Sequence, residues 1–104
     1  MPVIHRRVFY AKVGAADELV QHLQEGDRVM HRNEVDFKTR LLTDNMSGRS
    51  DWVVAEWEAD SIGALEAAMA HAMASPQTQA EIGVWMEKLN SLIRYSEAEN
   101  WTVR

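Results

Sequence analysis

The sequence predicts an α+β fold in which a four-stranded antiparallel sheet carries its helices on one face. Three observations lead to this prediction: the order of strand-like and helix-like patterns, the repetition of that order in the two halves, and the placement of charge on the strands. The length of 104 residues is enough for a single domain, residues 1–104, with one modest core.

The first half of the chain predicts a strand, a helix and a second strand. Residues 3–13 are rich in β-branched and aromatic side chains, and Gly14 ends that pattern. Apolar residues then recur at helical spacing to about Arg32, behind acidic residues that suit the first turn of a helix. Residues 35–43 form the predicted second strand, and turn formers occupy residues 44–50.

The second half predicts a strand, two helices and a last strand. Residues 52–58 form the third strand, which pairs with the second as a hairpin. Asp60 or Ser61 caps the second helix, and Ser75-Pro76 both ends that helix and starts a third one, which runs to about residue 93. Residues 95–103 form the last strand.

The two halves follow the same plan. Residues 8–19 and residues 54–65 each hold a strand, a break, an acidic residue and a leucine, so the second segment weakly repeats the first. A strand–helix–strand unit used twice is the split β-α-β pattern of ferredoxin-like folds, in which the strand order of the sheet is 4-1-3-2.

Charge on the strands supports the order 4-1-3-2. The first two strands carry bases and the last two carry acids: Arg6, Arg7, Lys12, Lys38 and Arg40 against Glu56, Glu58, Glu97 and Glu99. In the order 4-1-3-2 every neighbouring pair of strands sets acid beside base, whereas a simple meander does so only for its middle pair. Opposite charges on neighbouring strands contribute roughly 0.2–1 kcal/mol per pair.

Alternation of side chains divides the predicted sheet into a helix side and an open side. The less charged set is assigned to the helix side: Phe9, Ala11, Phe37, Thr39, Leu41, Val53, Ala55, Trp57, Ser96, Ala98 and Asn100. The open side holds charges but also large apolar residues: Tyr10, Leu42, Trp52, Val54, Tyr95, Trp101 and Val103. A solvated face rarely carries such a patch, so the sequence predicts a homodimer through the sheet faces. The alternative is a monomer with a partly apolar face.

Small residues on the helix side of the last strand predict a cavity between sheet and helices. The predicted lining residues are Phe9, Met30, Thr39, Trp57, Ser96 and Asn100. Gly26 lets the first helix approach its neighbours closely. A mostly apolar pocket with a few polar groups is the usual form of a small-molecule site.

The whole chain resembles the dimeric α+β barrel superfamily, which includes antibiotic-biosynthesis-monooxygenase-like and NIPSNAP-like proteins. The resemblance rests on the element order, the segment Arg7-Val8-Phe9-Tyr10, the strand from Trp52 to Trp57 followed by Asp60-Ser61, and the Ser75-Pro76 break. It implies a homodimer with one cavity per subunit. Activities in the superfamily include cofactor-free oxygenation, haem chemistry, isomerisation and effector binding, so the resemblance implies the fold more narrowly than the activity.

Three residues are candidates for catalysis. His5 and Arg7 share a face with Phe9, where an arginine suits a carboxylate or phenolate of a ligand. Asp27 lies near the buried face of the first helix and suits a general base, should burial raise its pKa. The alternatives are surface charges at a strand end and a hydrogen-bonded acid. His22 and Glu25 are three residues apart and could share a helix face, with His31 farther on, but that spacing is common by chance, so a solvated histidine is preferred to a metal ligand.

Composition and motifs exclude several function classes. The net charge of −5 disfavours nucleic-acid binding, and the lack of cysteine removes thiolate chemistry. No apolar run approaches the length of a membrane span, and we expect a cytoplasmic protein. No phosphate loop or nucleotide fingerprint indicates a cofactor, and none is predicted. We expect a protein that binds a small apolar or aromatic metabolite, as a cofactor-independent monooxygenase or, alternatively, as a non-catalytic ligand- or partner-binding module.

Overall fold

The structure is a computed structural model that describes all residues from 1 to 104. Its elements are β1 (Val3–Ala11), α1 (Ala16–Arg32), β2 (Lys38–Thr43), β3 (Trp52–Ala59), α2 (Ile62–Met73), α3 (Pro76–Leu92) and β4 (Ile93–Thr102). The four strands form one antiparallel sheet in the order β2-β3-β1-β4. The predicted α+β class and the strand order 4-1-3-2 are therefore confirmed.

Pairing of acid and base across the sheet follows from this order. Arg6 on β1 lies in register with Glu56 on β3 and with Glu99 on β4, and its Nε is 3.5 Å from Oε1 of Glu99. On the other side of β3, Nε of Arg40 donates to Oε1 of Glu56 at 2.6 Å. The charge pattern seen in the sequence therefore corresponds to real neighbours in the sheet.

The core forms on the face of the sheet that was assigned to the helix side. Its buried members come from β1, β3, α1 and α3: Phe9, Ala11, Val53, Ala55, Leu19, Leu23, Leu89 and Leu92. Leu41 and Trp57 pack against this cluster from the same face. Burying this apolar surface is the main favourable term for the fold, and it holds the helices against the sheet.

Two strand boundaries near α1 differ from the prediction. β1 ends at Ala11 rather than at residue 13, because the amide of Lys12 leaves the ladder and donates to the carbonyl of Leu92 at 2.9 Å. β2 begins at Lys38 rather than at residue 35, because the amide of Val35 donates to the carbonyl of Met30 and closes the last turn of α1. Backbone groups that cap a helix are not free to pair in a sheet.

The second half of the chain has tight junctions between its elements. Ser61, rather than Asp60, caps α2, and its hydroxyl accepts from the amide of Ala64 at 3.0 Å. Ser75 caps α3 and Pro76 is its first residue, as predicted. α3 ends at Leu92 and β4 follows at once, two residues earlier than expected.

The opposite face of the sheet carries no helix. Tyr95 and Trp101 on the β4 edge of this face are 52 % and 57 % exposed, and Leu42 is exposed on the opposite edge, on β2. Charged side chains of both signs lie between these apolar groups. This surface is called the open face below.

Candidate functional site

A cavity of about 910 Å³ lies between the sheet and the helices. Of its 24 lining residues 15 are hydrophobic, and the lining comes from β1, β2, β3, all three helices and the segment between α1 and β2. Volume and lining are those of a site for a small, largely apolar molecule.

The floor of the cavity is a row of side chains that crosses three strands. Thr39 on β2 pairs with Trp57 on β3, and Trp57 pairs with His5 on β1. Asn100 on β4 continues the row, and His5 Nδ1 is 2.7 Å from its side-chain oxygen. Because an amide oxygen only accepts, His5 donates from Nδ1, which leaves Nε2 as an acceptor in the neutral ring. The imidazole also lies against the Trp57 indole, with ring centroids 5.7 Å apart.

Asp27 brings a carboxylate from α1 to the β2 end of this floor. The hydroxyl of Thr39 donates to its Oδ1 at 3.1 Å, and Nε2 of His31 is 3.3 Å from its Oδ2. On the other side of the imidazole, Nδ1 of His31 is 3.0 Å from a carboxylate oxygen of Asp36, which is 82 % exposed. A neutral imidazole donates to one of the two carboxylates, and a protonated ring donates to both. Asp27 is thus a positioned carboxylate with a chain of polar groups that leads to solvent.

Arg7 lines the cavity next to the floor row. It is an exposed residue of β1 on the same face as His5 and Phe9. No hydrogen bond or ion pair within the molecule involves its guanidinium.

The wall of the cavity includes a tight contact between α1 and α3. His22 Nε2 donates to the carbonyl of Trp85 at 2.8 Å, and the indole Nε1 of Trp85 donates to the carbonyl of His22 at the same distance. The two rings stack with centroids 4.8 Å apart. His22 is buried, so its interpretation as a solvated histidine was wrong. The helical spacing placed His22 at the edge of the apolar face of α1, but it could not show that the carbonyl of Trp85 accepts a hydrogen bond from the imidazole.

The structure gathers most of the predicted site residues but not all of them. His5, Arg7, Phe9, Asp27, Met30, Thr39 and Trp57 line the cavity. Ser96 and Asn100 are not lining residues, and Ala98 and Asn100 are exposed, because the cavity lies over β1, β2 and β3 rather than over β4. Asn100 reaches the site only through its hydrogen bond to His5.

Several functional candidates were not found by reading the sequence. His31 stands four residues after Asp27 on one helix face, a spacing that could have identified the pair. Leu65, Met69 and Met86 form part of the cavity wall. Their helical spacing predicts an apolar face, but it does not distinguish residues that line a cavity from residues of a packed core.

Neither a metal site nor a membrane span is found. The described chain holds no group of three or more histidine, aspartate or glutamate side chains placed to bind a metal ion. No helix is both long enough and apolar enough to cross a membrane.

Comparisons with known proteins show the fold. No protein-family profile matches the sequence, and no curated protein matches it either. Among solved structures, an uncharacterised NIPSNAP domain protein from Burkholderia xenovorans is 19% identical, with a TM-score of 0.76 over 98% of this chain and 94% of that one. A NIPSNAP family protein from Agrobacterium tumefaciens is 15% identical, with a TM-score of 0.76 over 99% of this chain and 86% of that one.

An enzyme is also among the similar structures. SnoaB, a cofactor-independent oxygenase from Streptomyces nogalater, is 18% identical, with a TM-score of 0.68 over 99% of this chain and 93% of that one. The chain therefore has the ferredoxin-like fold that NIPSNAP proteins share with this cofactor-independent oxygenase.

Proposed function

We propose that the protein binds a small aromatic or apolar metabolite in the cavity, as a homodimer, and oxidises it without a cofactor. The observation that carries this proposal is a positioned carboxylate, Asp27, at the edge of a mostly apolar cavity of about 910 Å³. The likeness to an oxygenase that needs no cofactor supports the proposed reaction class.

The proposed chemistry begins with a proton transfer. Asp27 takes a proton from an acidic C–H or O–H group of the bound substrate, since the hydroxyl of Thr39 and the imidazole of His31 hold its carboxylate in place. The resulting carbanion of a substrate CH2 group then reduces molecular oxygen, so that one oxygen atom becomes a new carbonyl group of the product and the other leaves as water with the two hydrogens of that CH2 group. The apolar lining displaces part of the water around this anion, which strengthens the anion's electrostatic contacts with the protein.

The proposed dimer rests on the open face. Large aromatic groups and charges of both signs lie exposed there, so the same surface on a second copy offers apolar area and opposite charge together. Packing two such faces would remove the apolar groups from water.

Oxygen uptake tests the proposed reaction. We expect the protein to accelerate oxygen consumption with at least one member of a panel of quinols and polyphenols, and Asp27→Asn to slow it by about 100-fold or more, the usual range for a lost general base. Asp17→Asn on the same helix is the matched control, since Asp17 is exposed in the first turn and does not line the cavity. Saturable binding without oxygen uptake would instead support a non-catalytic ligand-binding module.

A further inference from the structure

The cavity has two polar ends on different strands. Thr39, with Asp27 bonded to it, lies on β2, whereas His5 and Arg7 lie on β1. β3 runs between these strands, so their backbones are about 10 Å apart. Trp57 of β3 occupies the floor between the two ends.

Arg7 is a cavity cation with no acidic partner. Arg28, which also lines the cavity, has its NH2 group 2.8 Å from a carboxylate oxygen of Glu25. Arg40 is bonded to Glu56, and strand alternation places both of these side chains on the open face. Arg28 and Arg40 therefore each have a carboxylate partner. Arg7 has none, although the chain carries a net charge of −5.

A free guanidinium at the edge of an apolar cavity matches an anion on a ligand. Its planar fork of donors pairs with a carboxylate through two parallel hydrogen bonds. At the other end, the carboxylate of Asp27 has about four lone-pair sites, and Thr39 and His31 occupy two of them. A ligand hydroxyl can therefore donate to Asp27 without displacing a protein group.

We propose that the ligand is an aromatic hydroxy acid whose carboxylate and hydroxyl stand at opposite ends of a flat ring system. The carboxylate pairs with Arg7, the rings lie over Trp57 and Phe9, and the hydroxyl donates to Asp27. This inference rests on the proposed function, because it names the ligand class of the same cavity.

Three naphthalene derivatives separate the contributions of the two ends. 6-Hydroxy-2-naphthoate carries both groups, 2-naphthoate carries only the carboxylate, and 2-naphthol carries only the hydroxyl. In calorimetric titrations at neutral pH we expect 6-hydroxy-2-naphthoate to bind about tenfold or more tightly than 2-naphthol, the usual gain from a hydrogen bond to a charged group.

Variants assign each gain to its residue. Arg7→Ala should weaken both naphthoates about tenfold and leave 2-naphthol unchanged, and Arg7→Lys should restore part of the loss. Arg94→Ala is the matched control, since Arg94 is exposed on β4, has no acidic partner and does not line the cavity. Asp27→Asn should reduce the advantage of 6-hydroxy-2-naphthoate over 2-naphthoate and spare the effect of Arg7→Ala.

The outcomes distinguish this inference from the proposed function. If 2-naphthol binds and the added carboxylate brings no gain, or if Arg7→Ala weakens 2-naphthol as much as the naphthoates, the two-ended ligand is wrong and the aromatic cavity stands. If none of the three compounds binds, the proposed function fails together with the inference. Selective loss of naphthoate binding in Arg7→Ala, with Arg94→Ala unchanged, supports the inference.

Discussion

Tyr10 shows how one residue on the open face acquires unusual acid–base behaviour. Its hydroxyl donates to Oε1 of Glu97 at 2.8 Å. Its ring stacks on Tyr95 with centroids 4.3 Å apart and meets the edge of Trp52. The hydrogen bond to the Glu97 carboxylate, together with burial, raises the pKa of Tyr10 to about 12, because the neutral phenol is the form that can donate.

This raised pKa predicts the alkaline behaviour of the protein. The folded state holds the Tyr10 proton more tightly than the unfolded chain, whose tyrosines titrate near pH 10. The contact therefore stabilises the fold fully below pH about 10 and is lost as pH rises through about 12. We expect ultraviolet titration to show a tyrosine with a midpoint near 12 that disappears in Tyr10→Phe. Glu97→Gln should lower that midpoint, and an unchanged midpoint would contradict the assigned cause.

Individual site residues were predictable to different degrees. Alternation along the first strand placed His5 and Arg7 on the cavity side, because each strand has only two faces to choose between. Asp27 followed from its position on the helix, although its side chain is 38 % exposed rather than buried. The hydrogen bond from Thr39 to Asp27 and the contact between His31 and Asp36 were not predictable, because these residues come together only when β2 lies beside the end of α1.

At the scale of elements, the packing of α1 on α3 depends on one missing side chain. A Cβ at Gly26 would stand 2.6 Å from atoms of the Trp85 indole, closer than real contacts allow. The absence of that Cβ lets the indole lie flat against α1, where it also donates to the carbonyl of His22. Gly26 in the sequence indicated that α1 lies close to a neighbouring element, but not that Trp85 of α3 is the residue in contact.

Two glycine substitutions test this contact. Gly26→Ala should lower the free energy of unfolding by roughly 1–3 kcal/mol, the usual cost of overpacking, because the Trp85 indole is held by its hydrogen bond to the His22 carbonyl and by stacking on the His22 ring. Gly83→Ala on α3 is the control: a Cβ there meets nothing within 4 Å, so we expect a gain of about 0.5–1 kcal/mol from helix propensity. Urea denaturation measures both. Equal effects of the two changes would refute the close-packed interpretation.

Element types were easier to predict than element ends. Period and composition identified every helix and strand, because burial of one face imposes these periods on the sequence. The ends depend on competition for single backbone amides. Val35 belongs to a β-rich segment, yet its amide closes α1 instead of joining β2. Such a choice depends on tertiary context, which local propensity does not contain.

At the scale of the whole molecule, the position of the cavity was harder to predict from the sequence than the fold. Small side chains on β4 suggested room above that strand, but Ala98 and Asn100 are exposed there. The space opens instead over β1, β2 and β3, and Leu65 and Met69 of α2 line it from the helix side. Helix placement over a sheet follows from the sum of many contacts, which no single strand encodes.

The open face carries the last prediction, which concerns assembly. Val54 lies in register with Val8 and Leu42 on this face. If two copies pack through it, Val54→Arg puts a bulky charged side chain into an apolar part of the interface, and the dimer should dissociate. We expect light scattering to show a dimer for the unchanged protein and a folded monomer for Val54→Arg at micromolar concentration. Val84→Arg is the matched control because Val84 is 69 % exposed on α3, away from the open face. A monomer for the unchanged protein, or dissociation caused by Val84→Arg instead, would show that the open face is not the interface.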